Sequence, residues 1–521
     1  MNRYEKVELA ARLTGVVLVA LGAEAVLRAC ADRLAQIVMG GSFPPGSVTW
    51  WSLGLAGPAV WMGAGAWTLY CSHGLASFFL GLPAVRGAPD RRLPLLIGST
   101  FVGLALVLPV VAGFASVGVM MAGSVLRSGA GSIVGLPASP WLEQGPIIAA
   151  GLLPAVPGVY LLAVPRHVQV FLRRCTRLRA GRGQTARLLA TGMALVALYS
   201  VARYLCESVG ATIGWAWLID RASRGEPDLV DLPVLESAIL RSFASKLLAL
   251  VVAGVVLVFA GRIPRAVSRG VRGGGGATRW PWPGRRTAFH VALLACAAYM
   301  LCRVAGSVFL LLLPESLRDP YDMLALSAGT AAAVPVLLLA TGRAAAGAGL
   351  ARRAYPLDTK PEAESLAALR ATLGTALALI GLASAIVLSG NPSFHLAAGA
   401  GGVALGLGLA VFREPLARRL LPSNGPEAST TDEARNDQLG AWLPLLGVYI
   451  FLAHVDMLGA VALRGEREFV VRGNPFVPVA GLVLLFAGRR LAPLLSPAAI
   501  RRGLTMLSRR FGGPKPEGMR E

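Results

Sequence analysis

Twelve times between Leu9 and Gly488 the chain returns to a nearly unbroken run of Leu, Val, Ala and Gly, near 9–28, 50–71, 94–115, 146–164, 188–212, 243–261, 288–312, 324–342, 371–389, 395–412, 440–462 and 475–488. Runs of about 20 such residues have the length that crosses a roughly 30 Å hydrocarbon core as helix. In lipid every backbone N–H and C=O must be paired within the protein, which leaves helices and closed barrels as spanning structures. The runs do not alternate between polar and apolar, so they do not read as barrel strands. Composition agrees: 55% of the 521 residues are AVILMFWYC and 15% are charged, where a soluble domain carries about 25% charged residues. The expected fold is therefore all-α, a polytopic integral membrane protein with about 12 transmembrane helices in one membrane domain covering residues 1–521.

The net charge of +22 has a direction. With a cytoplasmic N-terminus, the two tails and the loops that follow even-numbered spans hold 37 of the 50 Lys and Arg residues. Every comparison of short loops favours the same side, so both termini are expected in the cytoplasm. The loop from Asp220 to Glu236 carries five acids on the outer side, and the next, from Arg262 to Arg286, has seven Arg and no acid. Arg outnumbers Lys by 46 to 4 beside 62 Gly, a bias of coding composition more than of function. Arg3, Lys6 and the apolar run from Gly15 to Ala25 imitate a signal peptide, but Glu5 and Glu8 are unusual there, and the first span is expected to be retained. The location implied is a cell (inner or plasma) membrane.

The ends of the even spans repeat one pattern, a basic residue eight positions after a helix-interior residue: Gly65 to His73, Gly158 to Arg166, Gly254 to Arg262, Pro335 to Arg343, Leu405 to Arg413 and Gly481 to Arg489. The unit is an antiparallel hairpin used six times, at 9–73, 94–166, 188–262, 288–343, 371–413 and 440–489. As anchors, His73, Arg166, Arg262, Arg343, Arg413 and Arg489 would lay their stems in hydrocarbon and their heads at lipid phosphate. Beyond the last anchor, residues 496–511 place Ile500, Leu504, Leu507 and Phe511 on one face against arginines, the pattern of an interfacial helix held by anionic phospholipid. Residues 270–284 and 422–437 read as flexible cytoplasmic linkers. No aromatic interleaving accompanies the basic segments, so nucleic acid is not an expected partner.

Ionisable groups inside spans are the candidates for function, because desolvating them costs several kcal/mol unless they are paired or near an interface. They are Glu24, Arg203, Glu207, Arg303, His454 and Asp456. Arg203 and Glu207 stand at i,i+4 and can neutralise one another. Glu24, His454 and Asp456, if they converge, would make a protonatable cluster suited to coupled transport. Pro154, Pro157 and Gly158 in the fourth span and Gly402 and Gly406 in the tenth mark helices that are broken or thinned at matching positions of two halves. The same glycines also suit close helix packing.

Enzyme signatures such as HExxH, GxSxG or a P-loop are missing, and the six cysteines form no CxxC. No cofactor or metal is expected. Twelve spans with cytoplasmic ends resemble the topology of major-facilitator transporters, but GLPAVRGAPDRR between the second and third spans lacks that family's ordered Asp, Gly and basic residues. The leading expectation is a transporter or permease-like protein for a small solute or lipid; the alternative is a non-catalytic membrane scaffold or sensor subunit. Substrate, oligomeric state and protein partners are not written in the sequence.

Overall fold

The computed structural model describes residues 3–38, 47–80, 93–128, 150–163, 184–223, 232–263, 363–389, 396–420, 432–462 and 476–495, with short pieces at 168, 170–172, 174, 289–291, 293–295 and 499. All regular structure among them is helical: α1 Arg3–Val38, α2 Ser47–Tyr70, α3 Ser72–Leu80, α4 Leu93–Ser128, α5 Ala155–Ala163, α6 Gln184–Ser223, α7 Leu232–Phe259, α8 Ala363–Ser389, α9 Leu396–Val411, α10 Arg413–Leu420, α11 Asp432–Ala462 and α12 Phe476–Leu491, closed by a 3₁₀ turn at Ala492–Leu495. Among the described residues, four apolar stretches are long enough to cross a membrane, at Leu189–Trp217, Ser242–Phe259, Arg370–Val387 and Phe476–Leu495. Shorter ones lie at Gly98–Phe114, Ala150–Ala163 and Trp442–Leu458. Most of the seventh and eighth apolar runs, with Arg303 and Arg343, lies outside the described residues, as do Arg166, residues 270–284, 422–431 and nearly all of 496–511. Residues 432–437, expected as the end of a flexible linker, instead form the first turns of α11, where Asp432, Glu433, Ala434 and Arg435 continue the helix ahead of its apolar run.

Several helices exceed the apolar runs that seeded them. The 40 residues of α6 are about 60 Å long at 1.5 Å per residue. Ala, Arg, Leu and Gln flank its apolar centre, and such residues propagate a helix in water as well as in lipid. Hydrophobicity therefore marks where a helix is embedded and propensity decides where it stops.

Sequence neighbours pack together as α1 with α2, α4 with α5, α6 with α7, α8 with α9 and α11 with α12. Glycines set the spacing in four of these pairs. A methyl group built on Gly15 would lie 2.8 Å from the carbonyl oxygen of Gly65, and one on Gly65 would lie 2.8 Å from that of Gly15. Gly103 and Gly158 meet in the same reciprocal way at 2.9 and 3.0 Å, and Gly447 and Gly481 at 2.6 and 2.9 Å. Gly381 and Gly406 are closer still. No larger residue permits this approach of two backbones, which gains dispersion contacts along the whole crossing where lipid offers no hydrophobic driving force.

The pairs join through α2, α4, α6, α11 and α8, with α7 also packed against α11. Next to α2 lies α4, then α6, then α11, which packs against α8. Gly98 abuts Leu195 and Gly192 abuts Leu445, which fixes the α4–α6 and α6–α11 contacts. The short piece at 289–295 touches both ends of this row: Phe289 and Leu293 pack with Val16, Leu13 and Leu69, while Val291 and Leu294 pack with Leu373, Leu377 and Ala417. One side of α7 packs on α6 and α11, and its other side faces outward. On α7 the exposed residues Leu240, Leu247, Val251, Val255 and Val258 recur at helical spacing, a wholly apolar outward face.

Candidate functional site

Polar side chains gather where α6, α7 and α11 meet, in the middle of this apolar surrounding. Arg203 Nε donates to Glu207 Oε1 at 2.7 Å, the one-turn partner that i,i+4 spacing implies. Lys246 Nζ, arriving from α7, stands 3.8 Å from the second oxygen, Glu207 Oε2. One carboxylate thus faces two cations. The side chains of Arg203, Glu207 and Lys246 are 39, 28 and 26% exposed, so the group opens toward the protein surface.

Tyr204 is fully buried beside them, packed with Ala249 of α7 and Val455 of α11. Its hydroxyl donates to the backbone carbonyl of Leu452 at 2.8 Å and lies 3.4 Å from Asp456 Oδ1, the next turn of α11. The Arg203 guanidinium carbon stands 5.6 Å from the Tyr204 ring centroid, within cation–π range. Asp456 and His454 are half-buried on α11; Asp456 reaches Tyr204, and His454, two residues away, stands on another face of the helix. Leu452 and Asp456 are one turn apart, so a single phenol reads both the backbone and the carboxylate of the neighbouring helix.

The polar character continues along α6. Ser200, Tyr204, Ser208 and Trp215 fall within about 80° of one another at 100° per residue. Ser200 and Ser208 are buried, 4 and 5% exposed. Ser208 Oγ and Trp215 Nε1 are shielded and have no hydrogen-bond partner among the described residues. A buried hydroxyl or indole N–H without a partner costs about 1–3 kcal/mol, so this face is arranged for something other than apolar packing alone.

Three of the six ionisable candidates therefore come together, Arg203, Glu207 and, through Tyr204, Asp456, while His454 stands two residues from Asp456 on α11. Glu24 lies on α1, with its side chain outside the described set, and Arg303 is outside it altogether. Sequence reasoning missed Tyr204 and Lys246. The only signal for Tyr204 was its place between Arg203 and Glu207; a buried tyrosine hydroxyl needs an acceptor, and nothing local supplies one.

The helix-break residues behave differently. Around Pro154 the chain makes three-residue bonds, Leu153 N–H to Ala150 O at 3.3 Å and Val156 N–H to Leu153 O at 3.1 Å, and α5 starts only at Ala155. Pro157 follows within its first turn and has no N–H to give. Gly158 and Gly406, by contrast, are filled against Gly103 and Gly381 at helix crossings. Gly402 lies on α9, its surroundings outside the described residues.

Of the basic anchors, His73 and Arg262 are exposed and Arg489 is half-buried against Gly440. Arg413 is only 3% exposed, which is not the position of a head reaching outward to lipid. At the corresponding end of the first pair, Arg12 bonds Glu8 at 2.9 Å and Ser72 Oγ at 3.2 Å, and Tyr4 donates to the His73 carbonyl at 2.8 Å.

Comparison with protein-family models, curated proteins and solved structures finds no match to the chain.

Proposed function

We propose that this chain is a twelve-span membrane protein with both termini cytoplasmic, built from six similar hairpins, and that it acts as a transporter or permease-like protein for a small solute or lipid. The observation that carries this reading is the polar seam of α6. Ser208 and Trp215 keep buried polar atoms without a partner among the described residues, on the same helix as a charged group to which three helices contribute. Polar groups of this kind inside a membrane bundle line paths for polar species. The repeat is supported by Gly65, Gly158 and Gly481, which stand eight residues before a basic residue and are also the glycines at which their helices cross a partner.

In this mechanism the bundle alternates its access to a site beside α6 and α11. Asp456 and His454 take up and release the coupling proton, and Tyr204 relays the change to the backbone of α11 at Leu452. Glu24 on α1 is a further coupling group. Arg203 and Lys246 flank Glu207 and give the site a positive wall.

The test uses the full-length protein in proteoliposomes loaded with a pH-sensitive dye and exposed to a panel of amino acids, sugars, nucleosides and short-chain lipids. At least one should drive a saturable proton movement that is abolished in Asp456→Asn or Glu24→Gln and kept in Arg262→Gln. If no compound moves protons, or if all variants match the wild type, the transport reading falls. The scaffold or sensor reading then takes its place.

A further inference from the structure

A second charged feature lies away from the polar seam, where α8 begins and α9 gives way to α10. There a narrow, half-open cleft is lined by Arg370, Thr375, Arg413, Glu414 and Arg418 among others. We propose that this cleft binds a phosphate group, supplied by an anionic lipid headgroup or by a free phosphate.

Three arginines against one glutamate leave its charged lining at +2. Arg413 is 3% exposed, whereas Arg418 and Arg419 one turn later are exposed. The first therefore forms an inner wall and Arg418 the rim. Arg413 packs on α8 at Gly374: a methyl group there would sit 3.7 Å from the Arg413 carbonyl oxygen and 3.9 Å from its Cγ, in ordinary contact with the backbone and stem of the arginine. The chain bends at Phe412 between the two helices, and that bend brings Arg413 onto α8.

Guanidinium groups match phosphate oxygens with paired N–H donors, and a desolvated setting strengthens each such bond. Depth favours the lipid source. Arg370 is the first residue of the apolar stretch Arg370–Val387, which puts the cleft at the level where hydrocarbon gives way to headgroups. A net positive lining selects a headgroup without an ammonium of its own. This differs from the diffuse attraction of a basic surface for anionic lipid, because a buried arginine and a defined cleft give a site that saturates.

The experiment follows thermal unfolding of the full-length protein in a neutral maltoside detergent. Phosphatidylglycerol, phosphatidylcholine and inorganic phosphate at constant ionic strength are titrated separately. Phosphatidylglycerol should raise Tm saturably, as a ligand of the folded state does, and its half-saturating concentration should rise about tenfold in Arg418→Gln and in Arg370→Gln, each of which loses a charge-assisted bond. A response to phosphatidylglycerol alone identifies a lipid headgroup. An equal response to inorganic phosphate shows that the phosphate group suffices and turns the search to soluble phosphorylated ligands. Arg418 is exposed, so its variant keeps the test valid if Arg413→Gln does not fold. Absence of any shift, an equal shift with phosphatidylcholine, or the same half-saturation in wild type and both variants overturns the proposal. The outcome does not depend on whether the α6 seam transports.

Discussion

Glu207 is held between two cations from two helices, and removing its charge should be felt by both. Glu207→Gln leaves Arg203 and Lys246 facing one another without the carboxylate at 2.7 and 3.8 Å. The side chains are only partly shielded, so the cost should be about 1–3 kcal/mol, below that of a fully buried pair. Adding Lys246→Met should recover part of the loss, and the coupling is read from thermal unfolding of the two single variants and the double. Tyr204→Phe keeps the ring in its fully buried place and deletes only the hydroxyl that donates to Leu452 O. It should cost about 1 kcal/mol, in the range of interhelical hydrogen bonds in membranes. A wild-type melting curve would show that the hydroxyl does not tie α6 to α11. At this scale the sequence displayed half of the site. Arg203 and Glu207 share one helix, and their i,i+4 spacing implied the observed bond. Lys246 and Asp456 reach the cluster by tertiary packing, for which no local pattern exists. Tyr204, among nine tyrosines, had nothing in its neighbours to distinguish it.

Where two helices cross, small residues set how close they come, and the effect of enlarging them should depend on the crossing. Gly447→Ala places a methyl group 2.6 Å from the Gly481 carbonyl and 2.9 Å from the Leu484 carbonyl carbon, so α11 and α12 must separate. Overpacking of this kind costs about 1–3 kcal/mol. Gly254→Ala on α7 meets nothing within 4 Å among the described residues, and there the better helix propensity of alanine should dominate, for a gain of up to about 1 kcal/mol. Opposite signs of the Tm change for one substitution at two glycines of neighbouring helices would confirm that crossing geometry decides; equal signs would refute it. In the sequence, Gly254 and Gly481 look alike, since each precedes a basic residue by eight positions. Periodicity gave the helices, because an apolar run can only be satisfied by one in lipid. It did not distinguish a glycine under a neighbouring backbone from one beside open space. Nor did it give helix ends: α1 runs for 36 residues because Arg, Glu and Ala continue it beyond the apolar block.

The order in which the pairs pack is a property of the whole molecule, with no trace in a one-dimensional pattern. From α2 the contacts run to α4, α6, α11 and α8, so the last described pair stands between the third and the α8–α9 pair instead of at the end of a row. Residues 289–295 then touch α1 and α2 on one side and α8 and α10 on the other, which joins the two ends of the sequence of contacts. A closed order has a consequence that an open row lacks: segments far apart in the chain must be cross-linkable at two separate places around it. Cysteine pairs at Val16 and Phe289, and at Leu294 and Leu373, should both form disulfides or short bifunctional cross-links in the full-length protein, on a background with the native cysteines replaced. A pair at Val16 and Leu373 should form neither, because the intervening segment fills that space. Successful cross-linking at only one of the first two pairs would open the arrangement and leave the first and fifth pairs as its two ends. With both formed, α6 and α11 have neighbours on each side, and Tyr204 with its bond to α11 belongs to an inner layer of the bundle, while the outward residues of α7 are apolar. That separation of a polar inner layer from an apolar outer one is the arrangement alternating access requires, since the helices beside a site can tilt only if others keep the lipid out.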